Sequence, residues 1–359
     1  MVWSVHYLRG IAALFVVFYH TRSYLNHIYA ESKLGDMFFG WGYFGVDIFF
    51  MISGFVIMLS TENEKSKVSF PIKRFFRIYP LYFVVLMFFV IDFSLKGSIP
   101  TTNIVKSIFF IHLNYDINAP FFGYSVNLPG WTLTYELMFY GVFFIALCIS
   151  HKYRSFICSG LIIVIYFTIN LNFSHLEFNA YSSVNYNGRY TPIIKILSSP
   201  MMWEFIIGMM LFYIYSFLKK YNYLLRSSNV LIINTIIFIF SISLIISPIK
   251  YGHGLLNVGV GCFLLLLTCI IYELSGRLKK SALLSFFGDI SYSLYISHAF
   301  TIMILTTNKE LFSYVNQLRG FNKQLIVLTI VIAFAFILHK AIEIPLVSFG
   351  KSFLKKVQR

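Results

Sequence analysis

Side chains able to do chemistry sit inside long apolar runs of this chain, where polar groups are costly. Arg9 and His20 lie in the first such run, Asp47 in the second, Glu136 in the fourth and His298 in the ninth. His339, Lys340 and Glu343 fall in the tenth, and Arg74 and Arg77 stand at the start of the third. A charge in hydrocarbon costs about a few kcal/mol even on insertion scales, so each of these residues is a functional candidate by default. Arg9 and His20 are eleven residues apart. At 100° per residue that is three turns plus about 20°, so they share one helix face, roughly 16 Å apart along its axis. An imidazole, titrating near neutral pH, suits a general base. A guanidinium suits an anion.

Other spacings carry further chemistry, each with a plainer alternative beside it. Arg74 and Arg77, at i and i+3, are neighbours on one face, a pair suited to bidentate phosphate binding. The same pair is also what anionic lipid favours at a cytoplasmic membrane surface. Asp47 sits among aromatic and small residues in Gly42–Phe55. It must find a partner or a proton there, and a structural hydrogen bond would serve as well as catalysis. Pro129-Gly130 punctuates the chain before Trp131-Thr132-Leu133-Thr134-Tyr135-Glu136. Trp131 suits an interface anchor, and Thr132 and Glu136 share a face. Asp289 and His298, nine residues apart, are half a turn out of phase. Asp289 therefore reads as a helix-end residue, with Ser291 beneath His298 instead.

Elements of one kind must position these groups. Of 359 residues, 58% are hydrophobic and 12% charged, against roughly 45–50% and 25% in soluble domains. Intrinsic disorder, a disulfide scaffold and a soluble enzyme are excluded. The reading is an all-α polytopic membrane protein, one integral-membrane domain over 1–359. It has about ten spans near 7–25, 41–60, 77–95, 131–150, 155–172, 199–218, 229–247, 254–274, 284–305 and 323–347. The longest polar interruptions, 96–130 and 173–198, are long enough for short re-entrant or interfacial pieces. The net charge of +15 reads as loop charge controlling insertion, not as a nucleic-acid footprint. Alternate loops hold 17 and 10 of the Lys and Arg residues, which puts both termini in the cytoplasm. Cys148, Cys158, Cys262 and Cys269 fall in apolar runs without metal-ligand spacing, so packing is expected and a metal is not. The first run lacks the small-residue site of a cleavable signal.

Sorted by depth, Arg9, Arg74, Arg77, Lys340 and Glu343 form a cytoplasmic layer, and His20, Asp47, Glu136 and His298 an outer one. Glu136 falls about 8 Å in from the outer side. A basic inner mouth and a His/carboxylate outer chamber suit an anionic cytoplasmic donor serving an acceptor from the other face.

The same residues resemble the acyltransferase 3 family of membrane O-acyltransferases, within it the exopolysaccharide O-acetyltransferase branch. The resemblance rests on Leu8-Arg9-Gly10-Ile11-Ala12-Ala13 through Tyr19-His20, the Gly45–Phe55 segment and Arg74-x-x-Arg77. Further matches are Gly130-Trp131-Thr132-Leu133-x-x-Glu136, Ser291-Tyr292-Ser293-Leu294-Tyr295-x-x-His298 and Glu343-x-Pro345. It implies ten core spans in a bacterial inner membrane and an acetyl-CoA or other acyl-CoA co-substrate. It also implies transfer to a hydroxyl of a surface carbohydrate, either polymer or lipid-linked precursor. Arg9 and His20 match the family's essential pair, Arg74 and Arg77 its donor-binding pair. Where the family often has Ser after the tryptophan, this chain has Thr132, which keeps the hydroxyl. Many members carry a further span and an esterase-like domain. This chain has neither before Arg359, so transfer is expected to be direct or finished by a separate protein.

On this reading His20 is the base, and Asp47, Glu136 or His298 orients it or receives its proton. Arg74 and Arg77 grip CoA phosphates, and Arg9 helps seat the donor. A covalent route through an acyl-histidine, or an acyl-serine on Ser53 or Ser297, has no nucleophile–base pair in the sequence to favour it. The reading from another class is a secondary transporter or flippase for an acylated or anionic solute, since intramembrane His and carboxylates also build proton relays.

Overall fold

Lipid offers a backbone no hydrogen-bond partners, so apolar runs of this length close their bonds internally as helices. The computed structural model describes residues 1–64, 66–97, 99–247 and 252–357. Lys65, Lys250 and Arg359, three of the charges used to orient the chain, lie outside them. Regular elements among the described residues are all helical. They are α1 (Trp3–Thr21), α2 (Leu34–Phe39), α3 (Phe44–Thr61), α4 (Ser69–Lys96), α5 (Thr101–Ile108), α6 (Gly130–Ile149), α7 (Arg154–Phe173) and α8 (Thr191–Leu197). There follow α9 (Met202–Lys220), α10 (Ser228–Ile246), α11 (Val260–Leu274), α12 (Ala282–Thr307), α13 (Ser313–Gln317), α14 (Gly320–Leu338) and α15 (Ile344–Val357).

Among the described residues, nine helices are long and apolar enough to cross a membrane, counting α2 with α3 and α14 with α15. The expected first span, α1, is not one of the nine. It carries His6, Arg9 and His20 on nineteen residues. Outward faces are apolar: Ile232, Ile236 and Ile239 of α10 and Leu325 of α14 are exposed. That inverts a water-soluble surface, and the protein is a multi-pass membrane protein.

The polar helix α1 is central. It packs along α12 more extensively than any other pair of helices meets, and also against α3, with Ala12, Ala13 and Val17 fully buried. On its other side α3 lies against α9 through two facing glycines. A Cβ on Gly54 would come within 2.2 Å of the Phe205 carbonyl oxygen, and one on Gly208 within 2.1 Å of that of Met51. Small residues thus set a backbone-to-backbone approach.

Three boundaries differ from the sequence reading where they touch the polar residues. Helix α4 begins at Ser69 and runs through Pro80, so Arg74 and Arg77 lie inside it, not at its start. The expected tenth span is interrupted by a π turn, His339–Glu343, between α14 and α15. A second π turn, Leu255–Gly259, precedes α11, with Asn257 out of helical conformation. Such turns re-aim side chains inside helices and gather at functional sites. The long interruptions each carry one short helix, α5 and α8. Of the four free thiols, Cys158 and Cys262 are buried and Cys269 half-buried. Cys148, expected inside, is exposed near the end of α6.

Candidate active site

Three cavities follow one another through the bundle. The first, of about 440 Å³, is a basic mouth that includes Arg9, Lys73, Arg74, Arg77, His339 and Lys351 in its wall. The second, of about 100 Å³, shares Arg9, Val56, Arg74 and Arg77 with it and adds Ser53, Glu136 and Tyr140. The third, of about 310 Å³, shares Val46 and Tyr295 with the second and contains His20, His298 and His253 in an aromatic wall.

Every guanidinium in the mouth is held. Arg9 donates from Nε to Ser291 Oγ at 2.7 Å and from Nη2 to the Gly288 carbonyl at 2.9 Å. Arg74 donates to Ser60 Oγ at 3.1 Å and lies over the Tyr140 ring at 5.2 Å. Arg77 meets Glu343 Oε1 at 3.0 Å. The π turn turns Glu343 inward, where Oε2 also accepts from Ser293 Oγ at 2.6 Å and His339 Nδ1 at 2.8 Å. Lys340, on the same turn, lies over Phe336 instead. At the rim outside the spans, Glu64 pairs with Lys73. Partial burial raises the Glu64 carboxyl, but hydrogen bonds from Lys73, Ser69 and Ser66 outweigh it and hold it below the usual value.

The outer cavity follows the opposite rule. His20 lies open in it, with no hydrogen bond among the described residues, its ring centroid 5.0 Å from that of His298. His298 Nδ1 lies 2.7 Å from the Tyr295 carbonyl oxygen. A carbonyl only accepts, so Nδ1 carries the proton and Nε2 keeps its lone pair. That Nε2 is buried with no hydrogen-bond partner among the described residues. Tyr295, on the wall between the second and third cavities, shares a 2.9 Å hydrogen bond with Thr132 Oγ1. Beneath the cavity's loop, outside the spans, His112 is buried with its ring nitrogens 3.2 Å from Tyr115 Oη and from the Trp131 carbonyl. Desolvation lowers its pKa to about 4, the Trp131 bond acting the other way.

The structure thus brings His20 to His298, and Arg9 to Arg74 and Arg77. It does not bring Asp47 or Glu136 to His20. Asp47, fully buried, accepts from His253 Nδ1 at 2.7 Å and from the Gly254 N–H at 2.8 Å. Glu136 lies in the middle cavity, accepting from Ser53 Oγ at 2.8 Å and from Tyr140 Oη one turn deeper. Depth along a span fixes a Cα layer, not the cavity a side chain faces. Trp131, expected as an interface anchor, is buried 5.7 Å from the His253 ring. Asp289, expected near a helix end, lies two turns into α12 and meets His6 at 3.3 Å.

Two site residues escaped the sequence reading. Glu204, on α9, is fully buried beside Asp47. His253 falls one residue before the expected eighth span, so a search of the spans passed it over. Its available signal was its setting, Gly252-His253-Gly254. Both glycines hold φ near +109°, a region costly for any residue with a Cβ.

Residues 2–340 match the family model described as "Acyltransferase domain". The chain is 26% identical over 285 residues to the "Exopolysaccharide production protein ExoZ" of Rhizobium meliloti (strain 1021), covering 77% of this chain and 81% of that protein. It is 26% identical over 226 residues to "Nodulation protein 10" of Rhizobium leguminosarum bv. viciae, covering 56% and 57%. It is 28% identical over 145 residues to "Acyltransferase MdmB" of Streptomyces mycarofaciens, covering 38% and 36%. No solved structure matches the chain.

Proposed function

Because the chain belongs to the acyltransferase family matched over residues 2–340, and within it to the exopolysaccharide branch, we propose that this transferase moves an acetyl group from cytoplasmic acetyl-CoA to a hydroxyl of a surface carbohydrate. A polymer and a lipid-linked precursor are both acceptors of the right chemistry. The proposed setting is a bacterial inner membrane, with α1 as a tenth span and both termini in the cytoplasm.

One observation carries the reading: a middle cavity lies between the arginine mouth and the imidazole chamber and shares wall residues with each. A donor with phosphates at one end and a thioester at the other suits such a path. Arg74 and Arg77 hold phosphate, Glu343 fixing the second of them. Arg9 lines the next stretch. The acceptor alcohol occupies the outer cavity. His20 takes its proton as the oxygen attacks the thioester carbon, and His298 steadies the imidazolium. The acyl–sulfur bond breaks, the acyl–oxygen bond forms, and the proton passes from His20 to the leaving thiolate. Asp47 and Glu136, bonded elsewhere, have no part in orienting His20.

Vesicles carrying the purified protein, given labelled acetyl-CoA on one side, test this. CoA release coupled to an ester on added glycan is the expected result. Movement of solute without acyl exchange would instead support a carrier. Omitting the glycan separates direct transfer from a covalent route. Ser53, hydrogen-bonded to Glu136, is the hydroxyl such a route would use, and stable label on the protein would count against direct transfer.

A further inference from the structure

His253 has no part in the mechanism above, yet it is the most firmly oriented imidazole of the outer cavity. Its Nδ1–H faces Asp47 Oδ2 at 2.7 Å, and the other Asp47 oxygen accepts the Gly254 N–H at 2.8 Å. The loop on either side is tied to the cavity's aromatic wall. The Gly252 N–H donates to Tyr43 Oη at 2.8 Å and the His253 N–H to Tyr181 Oη at 3.1 Å. Behind Asp47 stands Glu204, fully buried, with no hydrogen-bond donor for either oxygen among the described residues.

With Nδ1 committed to a carboxylate, the tautomer is fixed and Nε2 holds a lone pair. No hydrogen bond to that Nε2 occurs among the described residues, and His253 lines the outer cavity. Its ring lies 5.2 Å from Tyr43, 5.8 Å from Phe121 and 5.7 Å from Trp131. A clamp between α3 and this loop would need only the Nδ1 side. An oriented acceptor among aromatic faces suits a ring with hydroxyls on its rim and apolar C–H faces.

We propose that His253 is an acceptor-binding residue, its Nε2 taking a hydrogen bond from a hydroxyl of the carbohydrate, with Asp47 and Glu204 as positioning residues behind it. This rests on the acyltransferase reading above and adds the group that holds the acceptor while His20 takes its proton.

The test uses the full chain in nanodiscs, acetyl-CoA as donor, and as acceptor the glycan extracted from a strain lacking this protein. His253→Gln raises the acceptor KM roughly 10- to 100-fold, the value of a hydrogen bond to a charge-supported partner. It changes kcat less than about threefold and leaves acetyl-CoA affinity by calorimetry alone. Asp47→Asn shifts KM in the same direction, and the double variant is no worse than His253→Gln. An unchanged acceptor KM overturns the proposal. So does a fall in kcat at fixed KM, or a loss that tracks the melting temperature in both variants, as a structural clamp would give. If His253→Gln does not assemble, Asp47→Asn carries the KM measurement. No transfer by the wild-type protein removes the acyltransferase reading itself. A His20→Ala protein that still transfers removes only the base.

Discussion

The two ends of the cavity path treat their polar groups in opposite ways. At the mouth each arginine is clamped: Arg9 by Ser291 and Gly288, Arg74 by Ser60 and Tyr140, Arg77 by Glu343. In the outer cavity each imidazole keeps a nitrogen without a hydrogen bond among the described residues, with His298 and His253 tied through Nδ1. Holding a polyanion needs fixed charge in fixed places, and partners that lock a guanidinium improve it. Moving a proton needs a lone pair left unspent. On the mechanism proposed above, the difference separates a binding end from a reacting end.

The strongest way to break this contrast is at the reacting end. His20→Ala should lower turnover about 10²- to 10⁴-fold, the usual contribution of a general base, with acetyl-CoA affinity retained. Near-normal product formation in nanodiscs would dissolve the division. At the binding end, replacing Arg74 and Arg77 together by Ala should weaken acetyl-CoA binding about 10²-fold or more, since each charged hydrogen bond contributes roughly 1.5–3 kcal/mol. Turnover at saturating donor should persist, and calorimetry beside steady-state kinetics reads both.

Acid should sharpen the comparison by loosening the outer end first. His112, buried neutral with its pKa lowered to about 4, binds fewer protons folded than unfolded. Stability therefore falls as pH drops through about 6.5 and levels off near 4, a loss of about 2 kcal/mol by pH 5. The Glu64 carboxyl at the mouth is also lowered, but in an acid that favours the charged form, so its contribution is lost only below its ordinary value. Melting in nanodiscs from pH 7 to pH 5 should show the slope, and His112→Gln should flatten it. The smallest effect belongs to the shared wall. Tyr295→Phe removes the hydroxyl bonded to Thr132 and should cost about fivefold in kcat, roughly 1 kcal/mol, with neither substrate's affinity changed. A shift in donor affinity of that size would place Tyr295 in the binding end instead.

Helical spacing made part of this site legible. Arg9 and His20 do share a face of α1, and that face borders the cavity path at two levels. Arg74 and Arg77 do stand together at the mouth. The spacing of Ser291 and His298 was informative as well, since Ser291 holds Arg9 lower on the same helix. Reading failed where a side chain's partner lies on another element. Asp47 was grouped with His20 by depth, but its imidazole is His253, 206 positions away. Glu136 was grouped there too, and Ser53 and Tyr140 draw it one cavity inward.

Composition and periodicity by themselves determined an all-helical, membrane-embedded chain, the runs that become helices, and which residues carry cost enough to need a purpose. Local geometry suffices for that, because a helix satisfies its own backbone and hydropathy is a sum over neighbours in sequence. Only the packed bundle decided which imidazole meets which carboxylate, where Glu343 turns to hold Arg77, and that three cavities stand side by side with shared walls. Those outcomes depend on helix approach, fixed by pairs such as Gly54 and Gly208, and on two π turns whose register no repeat in the sequence encodes.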